Sequence, residues 1–95
     1  MKIIWSPEAC ADLDRICVYL LAEQPTSVSQ TLDRIEGRVE ALRDNPALGR
    51  PGRVAGTREL IVSGLPYVIP YRVKSGRIEI VRVLHGARLW PEIFQ

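Results

Sequence analysis

The hydrophobic period changes halfway along this chain, and that change restricts the fold more than any other feature. Before Asn45-Pro46 the apolar residues recur at helical spacing, and after Arg58 they alternate. Val28, Leu32, Ile35, Val39 and Leu42 form one apolar stripe, with Asp33, Arg34, Glu36, Arg38, Glu40 and Arg43 on the other sides. Upstream, Ala9, Leu13, Ile16 and Leu20 mark a second helix. Ser6-Pro7-Glu8 opens it: serine caps, proline suits the first helical position and glutamate complements the helix dipole. It is predicted to run to about Glu23, where Gln24-Pro25-Thr26 breaks it. So short a link makes the two helices an antiparallel hairpin. Lys2 to Trp5 reads as a short strand ahead of them.

Asn45 to Gly56, with its glycines, prolines, Arg50 and Arg53, reads as a flexible basic loop. Three strands follow, roughly Arg58–Val62, Tyr67–Lys74 and Arg77–Leu84. With Ser75-Gly76 as a two-residue turn, Lys74 faces Arg77, Arg72 faces Glu79, and the register continues to Tyr67 opposite Leu84. Alternation then puts Tyr67, Ile69, Tyr71, Val73, Ile78, Ile80 and Leu84 on a core face, with Arg82 near its open end. Val68, Pro70, Arg72, Glu79, Val81 and Val83 form the other face, which is apolar enough to need covering by the tail from Trp90 or by a partner chain. The expected fold is α+β in the order β-α-α-β-β-β, a helical hairpin packed on a small, mainly antiparallel sheet, with residues 1–95 as one domain.

The size fits that reading: 95 residues, 46% of them hydrophobic, can form one core but not two. No apolar run approaches the roughly 20 residues that span a bilayer, and Met1 to Glu8 has no signal-peptide pattern, so a cytoplasmic protein without membrane partners is expected. Cys10 and Cys17 on one helix would be separated by about 10 Å of rise, too far for a disulfide, and are expected to be reduced, buried small hydrophobes. One histidine and no ligand spacing predict no metal, and no phosphate-binding glycine loop predicts no cofactor. The charge is uneven. Residues 1–24 carry two basic and four acidic side chains, a balance of −2, whereas residues 50–88 carry eight and two, a balance of +6. The C-terminal half either meets an anionic partner or is a solvated sheet surface.

Four residues could carry chemistry. His85 follows the last strand between Arg82 and Arg88, and Arg58 opens the first strand of the meander. A metal-independent ribonuclease needs a proton carrier and cations for the phosphorane charge. The structural alternatives are a histidine that caps the strand end and a strand-edge arginine paired with a carboxylate. Arg72 and Glu79 read as a cross-strand ion pair. Trp90 could stack on a base or plug the core.

Trp5-Ser6-Pro7-Glu8-Ala9, Ala11-Asp12-Leu13, Asn45-Pro46, Leu48-Gly49-Arg50-Pro51, Arg58-Glu59-Leu60, Tyr71-Arg72-Val73 and the closing Ile80 to Arg88 stretch, with its Arg82-Val83-Leu84-His85, carry a family resemblance. The chain resembles RelE/ParE-superfamily toxins of type II toxin–antitoxin modules, over nearly its whole length. That resemblance implies a growth-arresting toxin, neutralised by a cognate antitoxin in a hetero-oligomer that touches operator DNA only through the antitoxin. The residues expected to meet the antitoxin are Leu13, Leu20, Val68, Val81, Val83 and Trp90. It also implies one of two targets, DNA gyrase for ParE-like members or mRNA in the ribosome for RelE-like endoribonucleases. The nuclease branch keeps a strand arginine three residues before the tyrosine matching Tyr71, and here that position is Val68. The wording of the tail is nearer the ParE side. A ParE-like toxin is therefore expected, with the endoribonuclease (Arg58, Arg82, His85 and Arg88 as its candidate residues) as the alternative and a non-toxic, partner-binding relative acting in operon autoregulation as a third.

Overall fold

The computed structural model describes every residue except 88, 89, 92, 93 and 95. Strand β1 (Lys2–Trp5) leads into helix α1 (Pro7–Glu23), a single 3-10 turn (Pro25–Ser27) and helix α2 (Val28–Glu40), which ends in a second 3-10 turn (Ala41–Arg43). The sheet strands that follow are β2 (Arg50–Pro51), β3 (Arg58–Ile61), β4 (Tyr67–Lys74), β5 (Arg77–Ile80) and β6 (Leu84–His85). This is the predicted α+β order, with the two-residue β2 added inside the expected loop and β6 split from the last predicted strand.

Ser6 starts α1 as its sequence suggests. Its hydroxyl accepts from the Ala9 N–H at 2.9 Å and donates to the Val81 carbonyl at 2.8 Å, so the cap also ties the helix to the sheet. Strand order is β1-β5-β4-β3-β2, with β6 also paired to β4. Only β1 is parallel to its neighbour; the rest of the sheet is antiparallel. Both helices lay their apolar stripes on one sheet face. Ala9, Ile16, Leu20, Ile35, Val39 and Leu42 meet Leu60, Ile69, Tyr71, Ile78, Ile80 and Val83 there. Cys10 and Cys17 are free thiols, as expected, but Cys10 is exposed and Cys17 half-buried, because the buried stripe of α1 runs through Ala9, Asp12, Ile16 and Leu20 instead. Among the described residues no helix is long and apolar enough to cross a membrane.

The β4–β5 hairpin has the predicted register from Lys74↔Arg77 to Tyr71↔Ile80. Ser75 and Gly76 both take positive φ, 50° and 74°, as a two-residue turn matched to the strand twist requires. Then the register slips. Tyr67 faces His85 rather than Leu84, and Val68 faces Leu84 rather than Val83. One extra residue is accommodated between Val81 and Val83, which bulges the strand. The bulge corrects the predicted faces. Val83 turns inward and is 3% exposed in the core, whereas Leu84 leaves the core and is only half-buried. Val73, also expected in the core, is 45% exposed at the hairpin tip, beyond the reach of the helices. The cross-strand ion pair is corrected as well. Arg72 and Glu79 are opposite, but Glu79 pairs with Arg77 at 2.8 Å, and Arg72 donates to the Phe94 carbonyl at 3.2 Å.

Candidate functional site

The bulge is held by an acid from the other end of the chain. Strand pairing cannot satisfy every backbone group there, and the Val83 N–H turns to the Asp12 carboxylate at 2.9 Å. The Arg82 guanidinium grips the same carboxylate through two bonds, 2.7 and 3.0 Å, and Arg15 adds a third cationic contact at 2.6 Å. Asp12 is 4% exposed, so this is a buried, fully bonded carboxylate. Burial pushes its pKa up, but the bonds from Arg82, Val83 and Arg15 outweigh burial and hold the carboxyl below its ordinary value. The sequence carried a signal for this cluster: Asp12 sits on the Ala9–Ile16–Leu20 stripe, where a charge is out of place unless it has a buried partner.

Beside the bulge, a cleft of about 520 Å³ opens between α1 and the β4–β6 end of the sheet. Ile16, Tyr19, Leu20, Leu65, Tyr67, Val83, Leu84 and Trp90 supply its apolar and aromatic walls, and Asp12, Arg15, Arg82 and His85 its polar part. His85 Nδ1 accepts from the Ala87 N–H at 3.2 Å, so in the neutral ring the proton sits on Nε2. The His85 ring meets Tyr67 edge-on, with centroids 6.2 Å apart.

Arg58 is not part of this cleft. It faces Tyr71 on β4, whereas His85 faces Tyr67, four residues along the same strand. At roughly 3.3 Å per residue that offset is about 13 Å. Arg58 donates to the Gly49 carbonyl at 2.8 Å and lines a separate hollow of about 260 Å³ with Thr57, Tyr71 and Val73. Among the described residues it pairs with no carboxylate. The neighbouring Glu59, 2% exposed, is taken by Arg50 and Arg53 instead. Burial pushes the pKa of Glu59 up, but the bonds from Arg53 and Arg50 outweigh it and leave the carboxyl below its ordinary value. Arg88 lies outside the described residues. Of the four candidate cations and bases, the structure therefore brings together Arg82 and His85, and separates Arg58.

The apolar residues expected at a partner surface fall into three places. Leu20 and Val83 are core residues that reach the floor of the cleft, and Leu13 is half-buried against the same core. Val68 and Val81 lie on the open face of the sheet and are 7% and 6% exposed. Trp90 is half-buried, its Nε1 donating to the His85 carbonyl at 3.1 Å and its ring lying 3.6 Å under the Arg53 guanidinium. Together with the Arg72–Phe94 bond, this lays described tail residues against the open face. The exposed apolar side chains of α1 are Val18, Tyr19 and Leu21, which the sequence reading did not single out.

Residues 3–90 match the family described as "ParE toxin of type II toxin-antitoxin system, parDE". The chain belongs to the ParE toxin family. Among curated relatives, a Sinorhizobium fredii protein named "Putative toxin Y4kP" is 40% identical over 92 residues, 97% of this chain and 95% of its own. Toxin RelE2 of Caulobacter vibrioides is 36% identical over 88 residues, 93% of this chain and 98% of its own. A solved structure described as the chromosomal ParDE TA system from P. aeruginosa superposes with a TM-score of 0.80 at 32% identity, covering 87% of this chain and 92% of that one. As a ParE family member the chain is a toxin of a type II toxin–antitoxin system, and the cleft and bulge described above are features of that toxin.

Proposed function

We propose that this toxin arrests growth in the ParE manner, by inhibiting DNA gyrase, and that a cognate antitoxin neutralises it. The observation that carries this reading is the scatter of the cations a nuclease would need. Arg82 is fastened to a buried carboxylate, Arg58 stands about 13 Å along the sheet from His85, and Val68 is a buried valine at the position where an arginine would clamp phosphate. A proton carrier without a convergent charge stabiliser gives up typically 10²-fold or more in rate. The family match over residues 3–90 supports the same reading.

The second reading is cleavage of mRNA in the ribosome. It is favoured by His85 and Arg82 lining one cleft and by the similarity to a protein named toxin RelE2. A supercoiling assay separates the two. Purified toxin is expected to abolish gyrase supercoiling while leaving mRNA intact in a translating extract. Undiminished supercoiling at saturating toxin, with transcripts cut in the extract, reverses the assignment.

A further inference from the structure

The open face of the sheet is strongly basic toward its hairpin end. Ile3, Leu60, Tyr71 and Ile78 belong to the core under the helices. Strand alternation therefore turns Lys2, Glu59, Arg72, Lys74, Arg77 and Glu79 to the opposite face. Arg50 and Arg53 join them there through their ion pairs to Glu59. Among these described residues are six cations and two carboxylates, a balance of +4. Arg72 is half-buried and the other five cations are exposed. The helix layer behind the sheet differs in sign. Helix α1 carries Glu8, Asp12, Asp14 and Glu23 against Arg15, a balance of −3. On α2 and its closing turn, Asp33, Glu36 and Glu40 balance Arg34, Arg38 and Arg43. The toxin is polarised across its sheet.

One row of the basic face works against the fold. Lys2, Arg77 and Lys74 stand directly opposite one another on β1, β5 and β4. Like charges in register across a sheet destabilise it. Among the described residues only Arg77 of the three pairs with a carboxylate, Glu79 at 2.8 Å. A solvated surface gains nothing from three cations abreast, whereas a polyanion laid over them removes the repulsion.

We propose that this face docks on the phosphate backbone of duplex DNA, and that the toxin engages gyrase through the DNA the enzyme holds. The contact itself stands on the charge of the face, and its part in inhibition rests on the gyrase reading above. Strands β1, β5, β4 and β2 each bring a cation, so the array spans four strand spacings, about 19 Å. Charges spread over that width suit a repeating row of phosphates better than the few carboxylates of a peptide. A single strand fits less well, because it needs free aromatic rings on which bases stack. The ring beside these cations, Trp90, already lies 3.6 Å under the Arg53 guanidinium.

Binding is measured with purified toxin and a labelled duplex of about 20 base pairs, by fluorescence anisotropy and without gyrase. If three or four phosphates are neutralised, affinity is expected to fall about 40- to 150-fold between about 50 and 200 mM salt. Lys2→Glu/Lys74→Glu sets a carboxylate on each side of Arg77. The thermal midpoint of that variant is expected to hold or rise. Its duplex affinity is expected to drop at least about tenfold, its salt slope to shrink by about two, and its potency against supercoiling to fall in step. Wild-type toxin that leaves the duplex unbound at about 50 mM salt, or a folded variant that binds it as tightly as wild type, overturns the proposal. So does tighter binding of a single strand of the same length. Displacement more readily by polyglutamate than by unlabelled duplex at equal charge also overturns it and assigns the face to an acidic protein. Duplex binding through this face by a toxin that leaves supercoiling untouched keeps the DNA contact and removes the gyrase reading. Inhibition of gyrase without duplex binding does the reverse.

Discussion

Asp12 does two jobs with one carboxylate. It neutralises Arg82, and it supplies the acceptor for the Val83 N–H that the bulge takes out of the β4 ladder. Replacing it by asparagine keeps the volume but leaves a half-buried guanidinium without its counter-charge, and breaking a buried pair from one side costs about 3 kcal/mol. Asp12→Asn is therefore expected to lower the urea midpoint markedly. The pH dependence has a definite sign. The folded pKa of Asp12 lies below the ordinary 3.8, so its stabilisation is complete above that value and is lost as the pH falls through the lower folded one. The stability gap between wild type and Asp12→Asn should be constant at neutral pH and close only in acid below about pH 4. A gap that closes between pH 5 and 7 would mean that another group supports the bulge.

Individual elements were legible in the sequence wherever their cause was local. The Ser6 cap, the α2 stripe and the Ser75-Gly76 turn each depend on residues within a few positions, and each forms as its spacing predicts. The bulge depends on Asp12, about 70 residues away, so alternation along the strand ran straight through it and put Val83 and Leu84 on the wrong faces. The same limit hid the attachment of the basic loop. Asn45 to Gly56 reads as flexible because its own residues are turn formers, yet Tyr71 pins it from the sheet: its hydroxyl accepts from the Gly49 N–H at 2.8 Å and donates to the Pro46 carbonyl at 2.7 Å. Gly49 is the residue that permits this approach. A Cβ there would lie 2.6 Å from Tyr71 Cε1 and 2.9 Å from the Glu59 carbonyl oxygen, and the latter belongs to a strand that cannot give way. Gly49→Ala is expected to cost about 2–3 kcal/mol and to free the loop. Thermal melting should show a lower midpoint, and faster amide exchange should be confined to the Pro46–Arg53 segment. A variant that melts like wild type would mean that the loop is held by Arg50 and Arg53 on Glu59 alone.

Across the whole molecule, charge is sorted by what each arginine can reach. The end of the sheet nearest α1 neutralises its arginines internally through Asp12, and the open face pairs Arg50, Arg53 and Arg77 with Glu59 and Glu79. Among the described residues, Arg34 and Arg38 on α2, Arg58 on β3 and Arg72 on β4 bond carbonyl oxygens and form no ion pair with a carboxylate. On the proposed reading these arginines serve binding rather than acid–base chemistry on a phosphodiester. His85 gives the direct check. Its side chain makes one hydrogen bond to an exposed backbone amide and one ring contact, so His85→Ala is expected to change stability by less than about 1 kcal/mol. Under the gyrase reading, growth arrest after induction should persist within a few-fold of wild type. A ribonuclease that relied on His85 for proton transfer would lose roughly 10²–10⁴-fold in activity, enough to restore colony formation. Viable counts after induction of the two proteins at matched abundance distinguish these outcomes: rescued growth with a folded His85→Ala protein transfers the toxin to the nuclease branch.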